Sequence, residues 1–118
     1  MVQQIKSEVL DNRRVGGYHV LSLTAPGIAE SAQPGHFVTI AMGGEESSMV
    51  LRRAFAIHQV ASRGVFGGTL DIAISVAGTG TEWLAHRRRH DVLNVVGPLG
   101  QPFSLPKQGV SCVLVGGG

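Results

Sequence analysis

Two short stretches combine residue types that could hold a charged, planar ligand. In Arg53-Ala54-Phe55-Ala56, a strand would place Arg53 and Phe55 on one face, about 7 Å apart. A guanidinium holds a phosphate through forked hydrogen bonds, and an aromatic neighbour can lie against a flat ring. The alanines on either side let the backbone come close. The pattern suits a nucleotide-like ligand with a phosphate near a planar heterocycle; an amphipathic strand with a solvated arginine would look the same. In Gly78-Thr79-Gly80-Thr81, ahead of Glu82-Trp83-Leu84, glycines free backbone N–H groups. A helix start there adds its positive dipole end, and a threonine adds a hydroxyl donor. That is an anion site in outline. The same residues also read as helix caps, with Thr79 and Glu82 as a capping box or Thr81 as a simple cap.

The remaining chemistry-bearing residues point elsewhere. His86 and His90 are four apart, but no Asp, Glu or Cys is placed to complete a metal set with them. No metal site is expected. Arg87, Arg88 and Arg89 most simply complement a helix C-terminus, with docking of an acidic partner as the other use. No aromatic residues interleave with them, which argues against nucleic acid. Trp83 reads as a packing anchor. The single cysteine, Cys112, excludes an internal disulfide and sits in an apolar run, where a buried inert thiol is expected. No Ser/His/Asp order or carboxylate pair suggests hydrolytic chemistry.

The elements that must position these residues are mostly strands, because the apolar pattern has period two. Strands are expected over residues 3–15, 18–24, 36–42, 51–60, 69–77 and 91–96. The clearest is 69–77, with Leu70, Ile72, Ile74 and Val76 facing a core and Asp71, Ala73, Ser75 and Ala77 leaving room on the other face. Pro34-Gly35 marks a turn, proline presetting φ and glycine supplying a positive φ. Residues 43–48 form a polar loop, 63–68 a glycine-rich turn, and 82–88 the one convincing helix. These elements fit a small antiparallel barrel or sandwich. The last run, 110–115, is apolar throughout and ends in glycines, as a buried strand opening a dinucleotide-binding unit would.

At 118 residues the chain can bury one core. Charged residues make up 15%, below the roughly 25% usual in soluble domains. A missing domain or a partner subunit covering part of the surface would explain so few charges. The net charge of +2 is small. No stretch approaches the roughly 20 apolar residues of a membrane span, and the first residues lack the apolar core of a signal peptide. A cytoplasmic location without membrane contact is expected.

Taken in order, PGHF (34–37), LRRAFAI (51–57), GTGTEWL (78–84), GPLGQPF (97–103) and VLVGGG (113–118) resemble the ferredoxin-reductase flavoprotein superfamily. Within it the order most resembles the electron transfer subunits of dihydroorotate dehydrogenase. The resemblance implies an all-β, six-stranded antiparallel Greek-key barrel with one short helix over residues 1–105. Residues 106–118 would then be a linker and the first strand of a nicotinamide-binding domain. It implies FAD as cofactor, with Arg53 on phosphate and Ala54, Phe55 and Ala56 along the isoalloxazine. Ala73, Ile74 and Ser75 would make backbone contacts, and Gly80 and Thr81 would meet the pyrophosphate. NAD and a [2Fe–2S] cluster would belong to the rest of a full-length subunit. Such a subunit passes electrons between NAD and an FMN-containing dihydroorotate dehydrogenase catalytic subunit in pyrimidine biosynthesis, as part of a hetero-oligomer. The fragment alone is not expected to turn over NADH efficiently.

One departure stands out. The family usually has serine or threonine where this chain has Ala56, and alanine loses a hydrogen bond to the flavin worth about 0.5–1.5 kcal/mol. Two further readings remain at this stage. One is the barrel of a sulfide- or hydrogenase-linked reductase subunit; the other is a cofactor-free β-barrel serving as an interaction module.

Overall fold

The computed structural model describes residues 1–44, 51–62 and 64–117. The chain forms a single seven-stranded antiparallel sheet whose order is β4-β3-β7-β1-β2-β6-β5. The strands are β1 (Gln3–Val15), β2 (Tyr18–Thr24), β3 (Phe37–Ala41), β4 (Arg52–Ala56), β5 (Gln59–Ser62), β6 (Gly68–Ile74) and β7 (Val92–Leu99). Two short helices, α1 (Ile28–Ser31) and α2 (Thr79–Ala85), lie in the crossovers from β2 to β3 and from β6 to β7. Non-consecutive neighbours joined by such crossovers give the Greek-key connectivity.

Seven strands stand where six were expected, because the stretch 51–60 is two strands and not one. Its first half, β4, pairs with β3, and its second half, β5, pairs with β6. Between them the backbone changes partner. Ile57 N donates to His36 O at 3.4 Å, and His58 N donates to Asp71 O at 2.8 Å. This corner brings the two outer strands of the sheet together and rounds it into a barrel. The residues at the corner, Ile57 and His58, include no glycine or proline, so the sequence carries no turn signal there.

Strand β1 spans both halves of the barrel. Gln3 to Glu8 pair with β7, and Val9 to Val15 pair with β2. The register with β2 slips by one residue between Val9 and Asp11, leaving Leu10 as a bulge. The core is built from Val9, Leu21, Leu23, Ile28, Val38, Ile40, Leu70, Ile72, Ile74, Leu84, Leu93 and Val95, all almost fully buried. Full burial of each such side chain contributes about 1.5–3 kcal/mol. Leu70, Ile72 and Ile74 therefore face inward as expected, but β6 ends at Ile74 and Val76 lies outside it, half-exposed.

The turn at Pro34-Gly35 forms as expected: Gly35 has φ +99° and His36 N donates to Gln33 O at 3.0 Å. Helix α1 was not anticipated. It is closed locally, with the Glu30 carboxylate accepting from Gly27 N and Ser31 Oγ donating to Gly27 O at 2.7 Å. Strand β7 runs on through Gly97 and Pro98, which the sequence suggested as its closing turn. Residues 101–117 form no helix or strand. The apolar run 110–115 is accordingly not a buried strand here: Leu114 is 95% exposed, and Cys112, expected to be buried, is exposed. The loop expected over 43–48 lies partly outside the described residues, as does Arg63 of the turn over 63–68.

One core position is chemically mismatched. Ser7 is fully buried, and its Oγ has no hydrogen-bond partner. An unsatisfied buried hydroxyl costs about 1–3 kcal/mol. Ser7→Ala removes that cost with almost no change of volume, so thermal unfolding should shift upward by about 4 °C.

Candidate functional site

Two adjacent arginines enter β4 and are used in opposite ways. Successive strand residues point to opposite faces. Arg52 lies on the outer face, where it binds three strands together. Its Nε and Nη2 donate to Thr39 Oγ1 and O, both at 3.0 Å, and its Nη1 and Nη2 donate to Asn94 Oδ1 and O at 2.8 and 2.9 Å. Asn94 Oδ1 also accepts from Gln4 Nε2 at 3.1 Å, which brings in β1. Desolvation lowers the pKa of Arg52 from its ordinary value, and the four acceptors compensate its charge.

Arg53 takes the other face. It pairs across the strands with Ile40, while Phe55 pairs with Val38, and both partners belong to the core. Arg53 nevertheless remains exposed, because it lies where the barrel interior opens toward α2. A Cβ placed on Gly80 would sit 3.7 Å from Arg53 Nε and 3.3 Å from Met42 Cγ. The arginine and the helix start are therefore in contact range. Among the described residues, no hydrogen bond or ion pair engages the Arg53 guanidinium. Phe55 is half-buried and packs against the core, whereas Ala54 and Ala56 are exposed on the outer face.

Open backbone surrounds this arginine. Among the described residues β4 pairs only with β3, so its second edge carries unpaired N–H and C=O groups. Strand β6 pairs with β5 only as far as Asp71, which leaves the edge at Ala73 and Ile74 open on the side turned away from β2. Strands β4 and β6 approach one another across this seam. Ala73 and Ser75 are exposed, while Ile74 turns its side chain into the core and offers only its backbone.

Helix α2 begins three residues earlier than expected and ends at Ala85. Neither threonine caps it. Gly78 is the N-cap, with no side-chain hydrogen bond. The Thr81 hydroxyl is used within the loop, accepting from Ala77 N at 2.8 Å and donating to Gly78 O at 3.2 Å. What the segment offers a ligand is thus backbone: the first-turn amides of Thr79, Gly80 and Thr81 have no intrahelical acceptor.

The other sequence candidates take structural roles. His86 Nδ1 meets Glu82 O at 2.7 Å, and His90 Nδ1 meets Glu8 Oε1 at 2.7 Å, so the two do not share a site. No metal-binding group of His, Cys, Asp or Glu occurs among the described residues. Arg87 stacks on Trp83 at 4.1 Å from the ring centre, donates from Nε to Trp83 O at 2.9 Å and reaches Asp91 at 3.7 Å. Trp83 packs on the core, as an anchor does. A groove of about 580 Å³ opens beside Trp83, Ala41, Val92 and Lys6, away from Arg53. Apart from Lys6 and Asn94 its lining is apolar or glycine, and Arg53 is not part of it. Sequence reasoning gave Asp71 no partner, yet its carboxylate is buried and accepts from Ser22 Oγ at 2.7 Å and Arg13 Nη2 at 3.3 Å. The bond to Asp71, and after it the one to Asp11, raises the pKa of Arg13 against the opposing effect of desolvation.

An antiparallel Greek-key barrel with an unpartnered arginine beside a glycine-opened helix defines a class, and the comparisons agree on it. The chain superposes on an NADH-dependent reduced ferredoxin–NADP oxidoreductase with a TM-score of 0.69 at 22% identity, covering 83% of this chain and 34% of the other. It superposes on phthalate dioxygenase reductase with a TM-score of 0.65 at 16% identity, covering 88% of this chain and 32% of that one. The fold is the ferredoxin-reductase-like barrel. Within that class its sequence relatives are the electron transfer subunits of dihydroorotate dehydrogenase B. The chain is 36% identical to that of Desulforamulus reducens over 95% of its own length and 44% of the relative's. It is 29% identical to that of Caldanaerobacter subterraneus over 98% of its length and 42% of the relative's. It thus spans less than half of the curated relatives it matches. No protein-family model matches it. Among the described residues no helix is long and apolar enough to cross a membrane.

The two arginines give a direct check on this division of roles. Arg52→Ala removes four charge-assisted bonds and should cost about 1–2 kcal/mol, seen as a fall in Tm of about 4–8 °C. Arg53→Ala breaks no described contact and should leave Tm within about 2 °C, as surface substitutions do.

Proposed function

We propose that this chain is the FAD-binding barrel of a dihydroorotate dehydrogenase B-type electron transfer subunit. The observation that carries the reading is the partnerless Arg53 guanidinium held against Gly80 at the mouth of an open backbone seam. The residues fit an FAD. Arg53 and the amides of Gly80 and Thr81 are suited to its pyrophosphate. Phe55, on the same face as Arg53, with the backbone of Ile74 and the exposed small residues Ala73 and Ser75 across the seam, suits a flat heterocycle whose rim needs hydrogen bonds; Ala54 and Ala56 face the other way and would offer it only their backbone. A side chain at Gly80 would need the Met42 side chain to give way slightly and would come into ordinary contact with Arg53.

When bound, the flavin supplies reversible electron transfer; the protein binds it, orients it and shields part of it from water. Arg53 neutralises phosphate charge, and the seam orients the ring through backbone groups. Alanine at position 56 offers no hydroxyl to the ring, so recognition there rests on the main chain.

The names of the relatives support a wider assembly of the following kind. Residues 1–105 are the flavin barrel, and residues 106–118 lead into a nicotinamide-binding domain as linker and first strand. The exposure of Val113, Leu114 and Val115, at 89%, 95% and 93%, suits a segment meant to be covered. An NAD site and a [2Fe–2S] cluster belong to that further part. The partner is an FMN-containing catalytic subunit, in the cytoplasm. The relatives favour this over sulfide- or hydrogenase-linked subunits, since all six matching proteins carry the dihydroorotate dehydrogenase name.

A visible absorption spectrum of the purified chain, followed by titration with FAD, tests the reading. The expected result is flavin bands, or their appearance on adding FAD, with Arg53→Ala weakening the affinity about 10- to 100-fold. A chain that is colourless and takes up no FAD overturns it and leaves a cofactor-free interaction module.

A further inference from the structure

Helix α2 ends at Ala85, and its last carbonyls need partners, since four are left without intrahelical donors. Most are satisfied locally: Glu82 O faces His86 Nδ1, Trp83 O accepts from Arg87 Nε, and Leu84 O accepts from Arg87 N. The fourth, Ala85 O, and Arg87 O just beyond the helix end accept from a single distant side chain. Asn12 Nδ2 donates to them at 2.9 and 2.7 Å.

Asn12 reaches the helix because of the bulge at Leu10. Directly paired residues share a face of the sheet. Val9 pairs with Leu23 and Asn12 with Leu21, two residues that both point into the core. Without the extra residue, Asp11 would follow Val9 on that face and Asn12 would point outward. Bulges commonly re-aim a side chain in this way. Here the re-aimed group is an amide with two donors, the chemistry that two stranded carbonyls require.

We infer that Asn12 is a positioning residue for the flavin site, holding α2 from below so that Gly80 stays in register with Arg53. The inference rests on the flavin reading above. Among the described residues, the side-chain hydrogen bonds at the upper end of α2 run only to its own loop, through Thr81. Asn12 is thus the side-chain bond from the β1–β2 half of the sheet to the helix. It touches no ligand-facing residue itself.

The test titrates the full chain with FAD, comparing wild type, Asn12→Ala, Asn12→Asp and Val9→Ala, with Tm and the visible circular dichroism of bound flavin measured on each. Aspartate keeps the shape but puts a carboxylate against carbonyls at a helix C-terminus, the unfavourable sign. FAD dissociation constants about 10-fold higher for Asn12→Ala and higher still for Asn12→Asp are expected, with an altered dichroic band. Val9→Ala deletes core methyls at the neighbouring core-facing position on the same strand and should lower Tm at least as much while changing affinity less than about twofold. Wild-type affinity and an unchanged band in both Asn12 variants would overturn the inference, as would losses that merely track Tm across all three. A wild-type chain that takes up no FAD fails the flavin reading instead, so the two failures are distinguishable.

Discussion

Everything in this barrel depends on one strand changing partners partway along its length. Strand β1 gives its first six residues to β7 and the rest to β2, so it is the hydrogen-bonded link between the two halves of the sheet. Thirteen extended residues span about 43 Å, too far for a small barrel unless the strand coils, and a bulge supplies local twist and bend. The outer face of β1 carries Arg13 toward the buried carboxylate of Asp71, while the inner face carries Val9 into the core and Asn12 to α2. A one-residue irregularity therefore sorts three side chains into three jobs.

The second link is the corner at Ile57 and His58, where the chain leaves β3 for β6. It closes the barrel by covalent continuity and two backbone bonds, not by a ladder. Strands β4 and β6 consequently face one another across a seam with unspent hydrogen-bonding groups. Exposed edges of this kind invite pairing with another chain. Here the corner, the α2 loop and the arginine crowd the seam. A ring-shaped ligand with hydrogen-bonding rims fits it better than a strand.

Much of this was legible in the residues, and the reasons for the rest are specific. Strands β2, β3 and β6 alternate, and the Pro34-Gly35 turn needs its two residue types, so both could be read directly. Arg53 reads with Phe55 as one strand face, whereas the sequence assigns Arg52 no role, because its four acceptors lie on neighbouring strands and leave no local signal. The corner was missed because no glycine or proline marks it. Helix α1 was missed because four residues are too few for a period to register. The thiol of Cys112 and the run 110–115, expected to be buried, are exposed here, because apolar character gives burial only where a neighbour is present to do the burying. Asn12 was invisible, since a bulge inverts the face assignment that strand periodicity would give.

A ligand in the seam would touch both halves of the barrel at once. Strand β4 belongs with β3 and β7, whereas β6 and the helix that follows it belong with β2 and β5. Arg53 and Gly80 are thus contributed by opposite sides of the same joint. Any group that binds both, and binds only the folded chain, adds its binding free energy to the closure of that joint, about 2.7 kcal/mol at a hundredfold excess over its dissociation constant. The arginine left without a partner in the free chain is inexpensive while water solvates it. It becomes a strong contact only when phosphate oxygens arrive in the forked geometry it requires. A ligand held across the joint in this way would depend on the barrel and the barrel on it, while the side-chain ties made by Arg52 on one side and Asn12 on the other flank the seam.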